Sequence, residues 1–218
     1  MTATDRKAWE KAQREKRIID IAQEVFVSRG YEQTTVPSIA DAAGYNKRTI
    51  YLYFKDKEEI FLAVVLRCLE LLKSGVETAT ELVPEERPGL KAFAWAFFCF
   101  SEDYPVFMDL IMLYESRHFV YHEADKPDHY SKRHAACQAV SDEIADMATA
   151  TIEKGIRQGT LVTDLTPRQL MLLLWGQIFG VIQILRIREK HFEDAFGLGR
   201  DELFNHFVAL TESALVKK

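Results

Sequence analysis

Residues 18–61 read IIDIAQEVFVSRGYEQTTVPSIADAAGYNKRTIYLYFKDKEEIF, and their spacing decides the fold. Ile18, Ile21, Ala22, Val25 and Phe26 fall at i, i+3, i+4, i+7 and i+8, a single apolar helical stripe. Gly30 follows as a stop. Thr35 is an N-cap, and Pro37 sits in the next first turn, where its missing N–H does no harm. Ile39, Ala40 and Ala43 give that helix a small apolar face, and Gly44 ends it. Asn46 caps a third helix, Lys47 to Tyr53, and Asp56 with Glu59 opens a fourth. Thr35 to Phe54 is therefore laid out as a helix-turn-helix. Gly44 supplies the positive φ of the turn. Ile39, Ala40, Ala43 and Ile50 let two helices cross closely. Lys47, Arg48, Thr49, Tyr51 and Tyr53 stay outside, on a helix able to enter a groove about 12 Å wide.

Working outward, almost every other segment also has helical period. The fourth helix runs to about residue 80 through Ile60, Val64, Leu66, Leu69 and Leu72. Pro84 and Pro88 mark a break. Helices are expected from about Leu90 to Phe100, Pro105 to Tyr121, His129 to Gln158, Thr166 to Arg188 and Asp201 to Val216. No repeat, low-complexity tract or strand stands out. The fold class is all-α, in two parts: a three-helix head over residues 1–57, with its motif at 35–54, and a helical body over 58–218.

Composition fits this reading. The 218 residues are 48% hydrophobic and 28% charged, an ordinary globular balance. Three cysteines, Cys68, Cys99 and Cys137, form no Cys-x-x-Cys pair, which argues against a zinc finger or disulfide framework and suits a reducing, cytoplasmic setting. The charged N-terminus reads as no signal peptide. The longest apolar run, Leu170 to Ile187, is interrupted by Gln177, Gln183 and Arg186 and reads as too short and too polar to span a bilayer, so no membrane partner is expected. Charge is asymmetric. Residues 1–57 carry 11 Lys and Arg against 8 Asp and Glu, whereas the other 161 residues carry 17 against 25. A basic head on an acidic body suits a DNA-contacting end.

The run from Ile18 to Phe61 resembles the TetR-type family of bacterial transcription regulators. Its "F…RGY", "T…IA..AG" and "K.T.Y.YF..KE." elements all stand here. Asn46 replaces a more usual Ser or Thr, Arg48 a small residue, and Pro37 with Ser38 a charged pair, which weakens the expected capping box. The resemblance implies that Tyr45, Lys47, Arg48 and Thr49 reach base edges or nearby phosphates. It implies that Thr35, Ser38, Tyr51, Tyr53 and Lys57 hold the sugar–phosphate backbone of double-stranded DNA at a palindromic operator. Contacts to phosphate fix register, and contacts to bases specify. The basic arm from Arg6 to Arg17 either tracks DNA or is a solvated extension of the first helix.

Residues 93–121 hold ten aromatics, about three times the chain average of 11%. The resemblance implies a ligand cavity there, between the fourth helix and helices five to eight; plain core packing is the alternative. Trp95, Phe98, Tyr114, Trp175 and Phe179 are the candidate wall for a largely apolar small-molecule effector, with Gln177, Glu115 and Arg117 as polar anchors. Gly176 and Gly180 share a helical face with Leu173, Ile184 and Ile187. The family pairs its last two helices with those of a partner, so this face is the candidate homodimer interface; an internal contact is the alternative. His118 and His122, four apart near Glu115, Glu123, His129 and His134, could bind a metal, but in a polar stretch they read as solvated, so neither metal nor cofactor is expected. No catalytic motif is present: no G-x-S-x-G, Walker A run, G-x-G-x-x-G or H-E-x-x-H. The expected function is that of a sequence-specific regulator, a repressor released by its effector through a population shift. The rival is a helix-turn-helix protein that organises DNA or recruits a partner without sensing a ligand.

Overall fold

A computed structural model describes residues 2–82, 89–118, 130–188 and 192–215. Ten helices are found among them: α1 (Ala3–Gln33), α2 (Val36–Ala43), α3 (Lys47–Tyr51), α4 (Lys57–Glu81), α5 (Leu90–Asp103), α6 (Pro105–His118), α7 (Lys132–Arg157), α8 (Pro167–Ile187), α9 (Phe192–Phe196) and α10 (Arg200–Leu215). The expected helices are there with shifted ends, and α9 is additional. Pro84, Pro88, Phe119, Tyr121, His122, Glu123, Pro127 and His129 lie outside the described residues.

Cap chemistry sets the boundaries. Gly30 interrupts α1 with φ 74°, and Thr34, fully buried, donates its hydroxyl to the Gly30 carbonyl at 2.7 Å. At α2 the capping box is intact, contrary to the sequence expectation. The Ser38 N–H donates to Thr35 Oγ1 at 3.2 Å and the Thr35 N–H to Ser38 Oγ at 3.0 Å. A serine hydroxyl thus does the work usually done by a longer acidic side chain. Gly44 closes α2 in the left-handed region, φ 69° and ψ 28°. The third helix stops at Tyr51, two residues early, where the Leu52 and Tyr53 N–H groups turn to the carbonyls three residues back, those of Thr49 and Ile50.

The chain forms two compact units. The first holds Met1–Leu71 with Pro105–Val140, so α4 and α7 each contribute one stretch to it. Its core is Ile18, Ala22 and Phe26 from α1, Ile39 and Ala40 from α2, Ile50, Phe54, and Ile60, Phe61 and Val64 from α4, with Met108, Ile111 and Tyr114 from α6. Phe26, Tyr31 and Phe61 pack ring against ring at 4.7–6.0 Å. The Cys68 and Cys137 thiols are buried here, and burial pushes both up to about 12, so they remain protonated core groups.

The second unit holds Leu72–Tyr104 with Ser141–Lys218. Its buried residues include Phe93, Phe97 and Phe98 from α5, Ile144, Ala148 and Ile152 from α7, Leu170, Leu174, Phe179, Ile182 and Leu185 from α8, and Phe204 and Val208 from α10. At the end of α7, the Gly155 carbonyl accepts from the N–H groups of Thr160 and Leu161 at 3.0 and 3.1 Å. A Cβ on Gly155 would lie 2.5–2.7 Å from the Leu161 side chain, so a larger residue here would displace Leu161.

One sequence expectation about α8 is corrected. By length and composition, Pro167–Ile187 is apolar enough to cross a membrane, the one such helix among the described residues. The two glutamines and the arginine do not offset its leucines and isoleucines. It is one-sided, however. Its other face, with Leu172, Leu173, Gly176, Gly180, Ile184 and Ile187, is exposed in the single chain.

Candidate nucleic-acid interface and ligand cavity

The head builds a cationic face from short, firmly capped elements. Asn46 Oδ1 accepts from both the N–H and the hydroxyl of Thr49, at 2.8 and 2.9 Å, fixing the first turn of α3. Thr49 is thereby left with its methyl group and hydroxyl lone pairs for any outside contact. Ile50 is the single buried residue of α3. Lys47, Arg48 and Tyr51 are exposed, and the Lys47 ammonium lies 5.5 Å from the centre of the Tyr51 ring. Tyr45 is half-buried beneath the Arg17 guanidinium, 5.9 Å from its ring centre. Tyr53 is half-buried as well.

Other candidate backbone contacts are partly committed inside the head. Thr35 and Ser38 spend their hydroxyls on the capping box. Lys57 donates to the Tyr31 carbonyl at 3.0 Å and lies 4.0 Å from the Tyr31 ring centre. Tyr31 in turn donates its hydroxyl to Glu58 at 2.7 Å, and burial together with that carboxylate raises its pKa. Two of three ammonium protons on Lys57 remain for an outside acceptor.

Arg133 is a residue that sequence reading missed. From the first turn of α7 it donates to Glu59 at 2.7 Å and also to Glu15, while its guanidinium lies 4.7 Å from the Phe54 ring centre. It ties Phe54, the last residue of the helix-turn-helix, to α1, α4 and α7. A separation of 118 residues from Glu15 leaves no local pattern to find.

The second unit contains a cavity, and of the helices the resemblance implied, α5, α7 and α8 line it. It is lined from α5, α7, α8 and α10, and neither α4 nor α6 contributes a lining residue. It is small, about 50 Å³. Leu90, Phe93, Ala94 and Phe97 are one i, i+3, i+4, i+7 face of α5, and Met171, Leu174, Trp175 and Ile178 are the same face of α8. Ala148 and Ile152 form the α7 wall, and Phe207, Val208, Thr211, Glu212 and Leu215 the α10 wall.

Two of the five expected wall residues, Trp175 and Phe179, line this cavity. Trp95 and Phe98 do not. They lie on the other side of α5 and pack onto Phe204, with ring centres 5.3 and 4.4 Å away. Tyr114 lies in the first unit, fully buried, with its ring centre 6.1 Å from that of His134. The expected anchors are elsewhere too. Gln177 is exposed on α8, Glu115 belongs to α6, and Arg117 pairs with Glu32 at 2.8 Å. The polar lining residues are instead Lys91, Thr211 and Glu212.

The five candidate interface residues do share one exposed face. Leu173 is 50%, Ile184 49% and Ile187 75% exposed, and a Cβ on Gly176 or Gly180 would meet no atom within 4 Å. No group of three or more His, Cys, Asp or Glu side chains suited to a metal occurs among the described residues. Of the candidate histidine pair, His122 lies outside them.

Comparison with known proteins fits this geometry. Residues 18–64 match the family described as bacterial regulatory proteins, tetR family. The HTH-type transcriptional activator FasR of Mycolicibacterium smegmatis is 40% identical over 90 residues, 41% of each chain. The fatty acid metabolism regulator protein of Bacillus subtilis is 51% identical over 47 residues, 22% of this chain and 24% of that one. These matches thus span less than half the length of the curated relatives. Over nearly the whole chain the likeness is one of fold. The crystal structure of AibR in complex with isovaleryl coenzyme A and operator DNA superposes with a TM-score of 0.65 at 18% identity, covering 90% of this chain and 97% of that one. The head, residues 18–64, is thus similar to the tetR family of bacterial regulatory proteins.

Proposed function

We propose that this chain is a sequence-specific DNA-binding transcription regulator, a cytoplasmic repressor released from its operator by a small, largely apolar effector. The observation that carries the proposal is α3. It is a short helix capped by Asn46 and anchored by Ile50, and it presents Lys47, Arg48 and Tyr51 to solvent. Arg48, with Lys47, Thr49 and Tyr45, reads base edges in the major groove. Thr35, Ser38, Tyr51, Tyr53 and Lys57 hold the phosphates on either side. The division of labour falls near residue 57, with DNA contact before it and sensing and dimerisation after it.

One such head reads only a short half-site, so the active form is a two-fold dimer on a palindrome, with half-sites about 34–36 Å apart. The exposed face of α8, Leu173 to Ile187, supplies the contact between copies. The effector occupies the cavity beside Trp175 and Phe179. Its class is acyl: the apolar wall suits a hydrocarbon chain, Lys91 and Glu212 suit a polar end, and a relative and a structural neighbour carry acyl-metabolite names. The effector shifts the population toward a state whose two heads miss successive grooves.

The cavity's small size favours the second reading, a DNA-associated protein that senses nothing. Selection of bound sequences from random duplex DNA tests the first claim. A palindrome should emerge, and Arg48→Ala should relax preference at particular positions by about 1–3 kcal/mol each. Release of that duplex by short- or long-chain acyl-coenzyme A separates the two readings. Release supports the sensor, and unchanged binding with every acyl chain leaves the non-sensing protein.

A further inference from the structure

Residues 4–14 of α1 have no packing role that explains them. Residues 4–14 contain no buried side chain, and the core begins only at Ile18. At 1.5 Å per residue, Ala3–Arg14 projects roughly 18 Å. The helix is nevertheless firmly specified. Thr2 and Asp5 form a reciprocal capping box, and Ala, Lys, Arg, Glu and Gln fill most of the following positions. A helix this short is marginal alone, but it is propagated here from a helix already nucleated in the head.

Its charges are arranged. Helical spacing of 100° per residue puts Arg6, Lys7, Lys11, Arg14 and Arg17 within one arc of about 140°. The acidic residues of the stretch from Arg6 to Arg17 are already engaged, Glu10 with Arg6 at 3.2 Å and Glu15 with Arg133. Lys7, Lys11 and Arg14 make no ion pair among the described residues, and they stand at i, i+4 and i+7 in line with Ile18, which faces the core of the head. The stripe thus continues, beyond the head, the side of α1 that Ile18 turns to the core. At its base, Arg17 covers Tyr45, the residue just before the recognition helix and its cap.

We propose that this overhanging helix is a second DNA-binding surface, whose Lys7, Lys11 and Arg14 hold phosphates of the duplex flanking the half-site read by α3. Three cations over eight residues span roughly 10 Å, about three phosphate steps along a strand. A membrane surface is the poorer fit. Trp9, 57% exposed, is the only large apolar side chain on the overhang, and interfacial helices need a continuous apolar face. The proposal rests on the reading of α3 as a DNA-binding helix.

The test uses the full chain with Lys7→Gln, Lys11→Gln and Arg14→Gln combined, changes that keep strong helix formers. Binding is measured against salt on the selected duplex and on a pool of random duplexes of about three helical turns. If the proposal holds, the salt slope falls by about 2–3 units, and affinity drops by a similar factor, tenfold or more, on both DNAs. An unchanged slope in the triple variant, with the wild type still binding its selected duplex, overturns the arm and leaves the α3 reading standing. A wild type that binds no duplex at all overturns the α3 reading itself. Binding of the wild type to anionic vesicles, lost in the triple variant while DNA binding is unchanged, would assign the stripe to membranes and also overturn the proposal.

Discussion

Helices α3 and α8 solve opposite problems with the same geometry. Each buries one face and exposes another. On α3 a single residue, Ile50, is buried, and Lys47, Arg48 and Tyr51 face outward. On α8 the buried face is long, and the exposed one holds Leu172, Leu173, Gly176, Gly180, Ile184 and Ile187. A cationic face is stable in water and gains when counterions are released to a polyanion. An exposed apolar face is a standing cost, at roughly 25 cal/mol per Å² of surface left wet, until something apolar covers it. The exposed face of each helix therefore suits the partner proposed for it, DNA for α3 and a second copy of the chain for α8.

The largest effect is expected where one residue supports a whole face. Ile50→Ala removes the only buried side chain of α3 and should cost about 2–5 kcal/mol. The α8 contact should be untouched. Thermal unfolding and gel shift would show lost stability and lost DNA binding, and sedimentation an unchanged dimer. If the variant binds its operator with full affinity, α3 is held by its caps and not by Ile50.

The mirror experiment is Gly180→Leu. Within one chain the new side chain meets no atom within 4 Å, so the fold should tolerate it. Between two copies packed on this face it would force the backbones apart, at a cost of about 1–3 kcal/mol, enough to raise the dimer dissociation constant roughly five- to a hundredfold. Sedimentation equilibrium decides the matter. A variant dimer as tight as the wild type would move the interface off α8.

The contrast also explains what could be read from the sequence. Caps, glycine stops and the 3.6-residue stripe act within a few residues of each other, so the head's helices and exposed basic side chains were legible in order. The cavity was harder, because it depends on which side of each helix turns inward. Leu90, Phe93, Ala94 and Phe97 form one face of α5, while Trp95 and Phe98 form another, and both faces are aromatic. Composition could not separate them. The α10 wall, with Phe207 and Leu215, lies on a helix expected from the sequence, but nothing there signalled that it met α5 and α8. Arg133 was out of reach for a similar reason: its partners are distant in sequence.

Filling the cavity sharpens the comparison at lower energy. Ala94 is buried and lines the cavity, so Ala94→Leu would occupy part of its space. The expected destabilisation is no more than the about 1–3 kcal/mol typical of added core volume, because the cavity takes up part of the new side chain. Operator release by an acyl effector should be lost, while unliganded DNA affinity stays the same, because Ala94 belongs to the second unit. Release at an unchanged effector concentration would show that the effector binds elsewhere.

The smallest effect lies at the start of α1. Asp5 accepts from the Thr2 N–H at 2.8 Å, and hydrogen bonds from the Thr2 backbone and side chain hold its carboxyl below the usual aspartate range. A group with a lowered folded pKa contributes stability above its unfolded value of about 3.9 and loses that contribution as pH falls through the folded one. The arm's first turn should therefore be protected at neutral pH and fray only in strong acid. Carbon-detected NMR titration of the Asp5 carboxyl reads this directly. Thr2→Ala should return the carboxyl to the ordinary aspartate range and speed amide exchange over the first helical turn, with thermal unfolding of the two units unchanged. If the wild-type Asp5 already titrates as an ordinary aspartate, the capping box is not formed in solution, and the overhanging helix begins further along the chain.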